Sequence, residues 1–199
     1  MPRIRSIVVV IALMALGGAT MAFAGSGGPD RGGGRYDGDD DRYRGGHGRV
    51  ASAALIDSAG ERVGRVWMYE RRRDDVVHLE ARLDDLPPGF HGFHIHAVGR
   101  CDPPGFTTAM GHFNPTGETH GEHAGDLPSL LVTDDGEATL ATVTDRFSIA
   151  DLRDADGSAV MVHSGRDNFA NIPARYGTPD AETLATGDAG SRIACGVVR

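Results

Sequence analysis

Lysine is absent from this sequence, and all twenty of its basic residues are arginine. We attribute this bias to genomic composition rather than to mechanism, because arginine can serve any site that needs only a positive charge. Positive charge is also in the minority, since 28 acidic residues give the 199-residue chain a net charge of −8. This balance argues against a nucleic-acid or anionic-membrane partner. The hydrophobic share of 40% is enough for the core of one domain.

The long apolar run of the sequence lies near its start. Arg3 and Arg5 precede the uninterrupted apolar segment Ile7–Leu16, and Ala22-Phe23-Ala24 has the small-x-small pattern of a signal-peptidase site. A retained membrane anchor is the alternative, but two glycines interrupt a stretch that is barely long enough to span a bilayer. No cysteine follows the run, which excludes a lipoprotein anchor. We therefore expect residues 1–24 to be a signal peptide, with no stable membrane insertion of the exported protein, which would be secreted, periplasmic or associated with the cell envelope.

Aliphatic side chains are missing from residues 25–48, where glycine, aspartate and arginine dominate. Such a segment cannot bury enough apolar surface to offset its ordering entropy, so we expect a disordered linker. His47 could bind a metal weakly, but a solvated spacer is the simpler interpretation. The folded domain is expected over residues 49–199.

Long helical periodicity is missing from this domain, whereas short strand-like segments recur. Eight segments are candidate strands: Ala51–Asp57, Val63–Glu70, Val76–Leu83, His91–Val98, Leu130–Thr133, Ala138–Thr144, Ala159–His163 and Ile193–Val198. Turn-forming residues separate them, as in the hairpin signal Asp-Asp-Gly-Glu at 134–137. The pattern predicts an all-β fold, an eight-stranded antiparallel Greek-key β-sandwich or barrel. The two long connections 99–128 and 164–191 are expected to be functional loops.

Metal-binding side chains are concentrated in this domain. His94 and His96 flank one residue on a predicted strand, so both imidazoles project from the same face and can bind one metal ion. Further metal-capable groups follow in the first long loop and at the end of a later strand: His112, His120, His123, Asp126 and His163. Imidazoles with a single carboxylate suit copper and zinc rather than calcium or magnesium.

Four motifs in this domain carry a family resemblance. They are Gly-Phe-His-Ile-His at 92–96, Gly-His-Phe-Asn-Pro at 111–115, His-Ala-Gly-Asp-Leu at 123–127 and Gly-Asp-Ala-Gly-Ser-Arg-Ile-Ala-Cys-Gly-Val-Val at 187–198. In content and order they resemble the signatures of the copper/zinc superoxide dismutases of the bacterial, exported type. The resemblance implies one copper and one zinc ion per chain, with superoxide as the small-molecule substrate that is converted to O₂ and hydrogen peroxide.

The resemblance also implies a role for each matching residue. Copper would be bound by His94, His96, His112 and His163. Zinc would be bound by His112, His120, His123 and Asp126, so that His112 bridges the two metals and also carries a proton to the product. Asp167 matches a carboxylate that links a copper-binding and a zinc-binding histidine and fixes their ring orientations. Arg192 matches the arginine that binds the anionic substrate beside copper.

Two further expectations follow from the comparison with the family. The family spaces its second and third zinc histidines more widely than His120 and His123, so we expect zinc to be lost more readily than copper. Cys101 and Cys195 occupy the places of the family's paired cysteines. A disulfide between them fits an oxidising compartment, and two buried free thiols are the alternative.

The charge of the substrate raises the question of how an anion approaches an acidic protein. Removing Arg3 and Arg5 with the signal peptide changes the net charge from −8 to −10, so a local positive field must outweigh the global one. Arg192 is the main candidate, with Arg166 and Arg175 either assisting or merely solvating their loop.

Other functions are compatible with the same fold. They are a non-enzymatic copper-binding or copper-buffering protein and an interaction domain on the cell envelope. Arg192 and Asp167 favour the enzyme, because a copper store needs neither.

Overall fold

The computed structural model describes residues 50–71 and 75–199. The predicted signal peptide (1–24) and linker (25–48) therefore lie outside the described residues. Within the described ranges, no helix is both long and apolar enough to cross a membrane.

Short antiparallel strands dominate the described part of the chain. They are β1 (Val50–Asp57), β2 (Arg62–Glu70), β3 (Val77–Leu83), β4 (Gly89–His91), β5 (Phe93–His96), β6 (Leu130–Val132), β7 (Ala138–Thr144), β8 (Ala159–His163) and β9 (Arg192–Val197). The helical elements are α1 (Thr183–Thr186) and short 3₁₀ helices at Thr107–Ala109, Asp151–Arg153 and Ala174–Tyr176. Seven strands form one sheet in the order β5-β8-β9-β1-β2-β3-β7, and β4 pairs with β6. The predicted all-β antiparallel architecture is confirmed, and the curled sheet fits a Greek key.

Alternation along the strands decides which face of the sheet is buried. In β3, Val77, Leu79, Ala81 and Leu83 are buried, whereas the residues between them are partly exposed. This is the two-residue period of a strand with one face on a core. The same period brings alternate residues of β1, β2 and β8 into one hydrophobic core.

The predicted strand over His91–Val98 is wrong in its bounds, and residues 50–71 and 75–199 contain nine strands rather than the predicted eight. β4 ends at His91 and pairs with β6, whereas β5 begins at Phe93 and pairs with β8. The chain therefore changes sheets at Gly92. A Cβ atom on Gly92 would lie 2.6 Å from the Cβ of Ala189, so this crowded corner has no room for a larger residue.

A disulfide joins the first long loop to the last strand. Cys101 and Cys195, 94 residues apart in sequence, are bonded, with their Cα atoms 5.7 Å apart, so the predicted disulfide is confirmed. Cys195 is fully buried and packs in a small cluster with Phe106 and Met161. The bond holds the loop segment around Phe106 beside β9.

Candidate metal centre

Strand β5 separates core-facing from metal-facing side chains. Phe93 and Ile95 belong to the hydrophobic core, so His94 and His96 project from the opposite face of the strand. β8 is hydrogen-bonded to β5 and ends at His163. Adjacent strands thus supply three imidazoles to one place.

We call one set of imidazoles the four-histidine cluster. It consists of His94, His96, His112 and His163, and one ring nitrogen of each lies within 4.8 Å of the others. His96 Nε2 and His163 Nε2 are 3.3 Å apart. Their Nδ1 atoms hydrogen-bond to the carbonyl oxygens of Met110 and Gly190, at 2.8 and 3.0 Å. Since each Nδ1 must donate its proton to a carbonyl, each Nε2 presents a lone pair to the cluster.

The four-histidine cluster fits copper. His94 Nδ1 is buried and has no hydrogen-bond partner among the described residues. An unpartnered buried nitrogen is costly, and a metal ion that accepts imidazole ligands would satisfy it.

A second set, the mixed cluster, consists of His112, His120, His123 and Asp126. Asp126 Oδ1 lies 2.9 Å from His112 Nδ1 and 3.2 Å from His120 Nδ1. The same oxygen lies 3.3 Å from His123 Nδ1, which is itself 3.2 Å from His112 Nδ1. Donor atoms around a tetrahedral zinc ion, each about 2.0–2.1 Å from the metal, lie about 3.3 Å apart. The mixed cluster therefore fits zinc, and the short connection between His120 and His123 brings both rings within reach.

Asp167 links the two clusters. Its Oδ2 accepts a hydrogen bond from His94 Nε2 and its Oδ1 accepts one from His120 Nε2, both at 2.7 Å. Because both Nε2 atoms donate, the Nδ1 atoms of His94 and His120 are the ones left for metals. His94 also lies within 4.8 Å of the donor atoms of His112, His120 and Asp126. We place it in the four-histidine cluster because it also lies within 4.8 Å of His96 and His163, whereas His123 Nδ1 lies 3.2 Å from His112 Nδ1 and 3.3 Å from Asp126 Oδ1.

Gly187 makes room for this link. A Cβ atom on Gly187 would collide with Asp167 Oδ1 and His120 Nε2. The residue also has a φ of +60°, a left-handed conformation that glycine adopts without strain. Both facts restrict this position to glycine.

Burial favours the neutral form of three imidazoles in the four-histidine cluster. It lowers the pKa of His94 to about 4, although the hydrogen bond to Asp167 acts in the opposite direction. It also lowers the pKa of His163 to about 3 and that of His96 well below its ordinary value. Neutral imidazoles are the form that binds metal.

In the mixed cluster, burial lowers the pKa of His123, whereas His120 behaves differently. Burial acts to lower the pKa of His120, but its hydrogen bonds to Asp126 and Asp167 outweigh burial and raise the pKa to about 9. Burial acts to raise the pKa of the Asp126 and Asp167 carboxyl groups. The hydrogen bonds from histidines outweigh burial and hold each pKa well below its usual range. The carboxylates are therefore ionised and attract a cation.

Arg192 lies beside the four-histidine cluster. Its Nη1 donates to the carbonyl oxygen of Phe106 at 2.7 Å, and its Nη2 donates to that of Met110 at 2.6 Å. A pocket of about 610 Å³ is lined by Arg192 together with His96, His112 and His163. A small anion that enters this pocket reaches the guanidinium and the imidazoles at once.

A further buried histidine and the two candidate arginines of the second long loop lie outside the clusters. Both ring nitrogens of the buried His91 face carbonyl oxygens, those of His163 and Pro87, at 2.7 and 2.8 Å. The guanidinium of Arg166 lies over the ring of Phe90, and that of Arg175 lies over a neighbouring tyrosine. Among the described residues, neither arginine lines the pocket that contains Arg192.

Sequence reasoning missed the groups that hold the site in place. The carbonyl oxygens of Phe106, Met110 and Gly190 carry no side-chain signal. Gly187 could have been recognised, because it opens the last family motif. Arg146, which contacts the loop of the mixed cluster, follows β7 in an ordinary turn and carries no local signal.

Several known proteins with similar sequences and folds carry one family name. The family model for copper/zinc superoxide dismutase (SODC) matches residues 62–198. The chain therefore belongs to the copper/zinc superoxide dismutase family, and this membership implies copper and zinc as its cofactors.

Individual relatives carry the corresponding name. A protein of Mycolicibacterium paratuberculosis named superoxide dismutase [Cu-Zn] is 51% identical over 130 residues, which cover 57% of this chain and 57% of the relative. The match thus spans somewhat more than half the length of that relative. The Escherichia coli K12 protein of the same name is 37% identical over 154 residues, covering 70% of this chain and 80% of the relative. The crystal structure of a SOD-like protein from Bacillus subtilis is similar with a TM-score of 0.63 and 30% identity, over 73% of this chain and 96% of that one.

Proposed function

We propose that this protein is a superoxide dismutase, which converts two superoxide anions and two protons into O₂ and hydrogen peroxide. The observation that carries the proposal is the position of Arg192 in the same pocket as three imidazoles of the four-histidine cluster. A protein that only stores copper has no need for an open pocket with a fixed positive charge. Family membership and the names of the relatives support the same activity.

The proposed ligand sets follow from the donor atoms. Copper would be held by His94 Nδ1, His96 Nε2, His163 Nε2 and the Nε2 of His112. Zinc would be held by Asp126 Oδ1 and the Nδ1 atoms of His112, His120 and His123. His112 is the shared residue, because its Nδ1 lies 2.9 Å from Asp126 Oδ1 and only its Nε2 remains for the other cluster.

Bound copper would supply the one-electron chemistry, since it is stable as both Cu(II) and Cu(I). The chain has to attract and place the anion, and we assign that task to Arg192. Its two hydrogen bonds to carbonyl oxygens fix the guanidinium at the pocket wall. The surrounding protein is acidic, with a net charge of −8, so this fixed local charge must outweigh the global field.

Proton supply is assigned to His112. Its ring lies between the clusters, with centroids 4.1 Å from His94 and 5.3 Å from His123. Asp126 Oδ1 lies 2.9 Å from His112 Nδ1, and His112 Nε2, when it is not bound to copper, would hold a proton and pass it to the product peroxide. Asp167 fixes the ring orientations of His94 and His120, one in each cluster, and takes no direct part in the reaction.

One experiment separates the enzyme from a copper store. The purified protein is stripped of metal, reloaded with copper and zinc, and assayed for metal content and superoxide consumption on the same sample. We expect the reloaded protein to consume superoxide much faster than the metal-free protein. A full copper complement without faster consumption would overturn the proposal and leave copper buffering as the function.

We also propose that the protein is exported, with residues 1–24 as signal peptide, 25–48 as spacer and 49–199 as the catalytic domain. The bond between Cys101 and Cys195 supports an oxidising compartment, and the bacterial relatives agree with this. N-terminal sequencing of secreted protein should begin at Gly25. Recovery of intact Met1 in the membrane fraction would contradict the proposal.

A further inference from the structure

The loop of the mixed cluster is held by a side chain that belongs to another part of the fold. Arg146 Nη1 donates hydrogen bonds to the carbonyl oxygen of Gly121 at 2.9 Å and to that of His123 at 3.2 Å. Its Nη2 lies 3.7 Å from the carboxylate of Glu122. One guanidinium thus spans the short segment that separates His120 from His123.

The opposite side of the same segment is held by Asp126. The amide N–H groups of Gly121 and His123 donate to Asp126 Oδ2, at 2.7 and 3.1 Å. These bonds occupy Oδ2 and leave Oδ1 facing the Nδ1 atoms of the cluster. Gly121 and His123 are therefore fixed through their carbonyl oxygens by Arg146 and through their amides by a proposed zinc ligand.

Arg146 itself is positioned by the sheet. It follows β7, and its own amide donates to Thr144 Oγ1 at 3.2 Å. The next residue, Phe147, is buried in the core and meets the ring of Phe113 at 6.4 Å, edge to face. The guanidinium is thus anchored from the sheet, and the carbonyl bonds to a charged donor are its strong contacts. The ion pair to the largely exposed Glu122 adds little.

We propose that Arg146 is a positioning residue that pre-forms the zinc-side donor set. This inference rests on the proposed zinc site of the mixed cluster. Arg146 touches neither metal nor substrate. Arg146 restrains the backbone of the turn between His120 and His123. It thereby limits the change in separation of the two imidazoles that the two-residue spacer would allow.

The test measures metal binding rather than activity. The full metal-free chain is titrated with Zn²⁺ against a competing chelator, and with Co²⁺, whose visible spectrum reports tetrahedral coordination at a zinc site. We expect Arg146→Gln to weaken Zn²⁺ binding 10- to 100-fold, as for partners outside the ligand shell, and to weaken the tetrahedral Co²⁺ bands. Copper affinity should stay within about twofold, since Arg146 makes no contact with His96 or His163. Arg146→Lys, which keeps the positive charge and N–H donors but not the planar guanidinium, should recover part of the loss.

Arg153→Gln is the matched control. Arg153 also follows β7 and also donates to a backbone carbonyl, that of Val50 at 2.8 Å, but it makes no bond to the loop of the mixed cluster. It should leave Zn²⁺ and Co²⁺ binding unchanged. Zn²⁺ affinities of Arg146→Gln and Arg146→Lys within about twofold of the wild type would overturn the positioning role alone. Failure of the wild type to bind Zn²⁺ would overturn the zinc assignment, and the positioning role with it.

Discussion

The carbonyl oxygen of Met110 accepts a hydrogen bond from Arg192 Nη2 at 2.6 Å. The same oxygen lies 2.8 Å from His96 Nδ1. One peptide group therefore holds both the guanidinium that we propose as the anion-binding group and an imidazole of the four-histidine cluster. The backbone of the loop thereby sets the separation between these two side chains.

Arg192→Ala should keep copper but slow superoxide consumption. The loss of kcat/KM should be about tenfold or more, because a hydrogen bond to a charged group is worth about 1.5–3 kcal/mol. Arg192→Lys should restore part of the rate, since a point charge still attracts the anion without the planar fork. Copper content and rate are measured together at low and moderate ionic strength. Arg175→Ala is the control and should change the rate less than about twofold. Equal rates for Arg192→Ala and wild type would contradict the assigned role.

Gly187→Ala should weaken the binding of both metals. The added methyl group collides with Asp167 and His120, so the link between the clusters must shift, at a cost of about 10- to 100-fold in metal affinity. Gly117→Ala is a matched control, because Gly117 also has a positive φ, of +74°, but its Cβ would meet no atom within 4 Å. Both variants are dialysed against a graded chelator series and assayed for copper and zinc. Similar metal loss from the two variants would mean that backbone strain, rather than crowding at Asp167, is the cause.

Loss of the disulfide should destabilise the protein and hold the guanidinium of Arg192 less firmly in place. The bond closes a loop between residues 94 positions apart, which corresponds to about 4–5 kcal/mol on the chain-entropy estimate. Urea unfolding of a Cys101→Ser/Cys195→Ser variant, compared with the wild type in the same metal state, measures this difference. The variant should also show a lower kcat/KM, because the segment that carries Phe106 and Met110 loses its tether. A free-energy difference below about 1 kcal/mol would show that other contacts hold the loop.

Zinc should leave the wild-type protein before copper. A given set of nitrogen and oxygen ligands binds Zn²⁺ less tightly than Cu²⁺, and in the proposed zinc set only Gly121 and Glu122 separate His120 from His123. In a graded chelator series, zinc content should fall at a lower chelator concentration than copper content. The zinc-depleted protein should also unfold at a lower temperature, because a ligand that binds only the native state stabilises it. Equal resistance of the two metals to chelation would contradict this expectation.

Much of this protein could be predicted from its sequence because the relevant signals are local. Alternating apolar residues predict the strands of an antiparallel sheet, as in β3. His94 and His96 lie two residues apart on one strand, so their shared direction follows from strand geometry. The family resemblance then points to the remaining candidate ligands and to the cysteine pair.

The tertiary structure alone decided how these groups are held. Gly92, where the chain changes sheets, has no room for a Cβ atom because Ala189, a residue far along the chain, packs against it. Asp167 reaches His94 across 73 positions, and this contact determines which ring nitrogen remains for a metal. Arg192 is fixed by backbone carbonyl groups, and no sequence pattern indicates which carbonyls these are. The loop of the mixed cluster is fixed by Arg146, which lies in no recognisable motif. Residue types and strand periods can be read from the sequence. Hydrogen bonds between distant segments exist only after the sheet has formed and the long loops have packed against it.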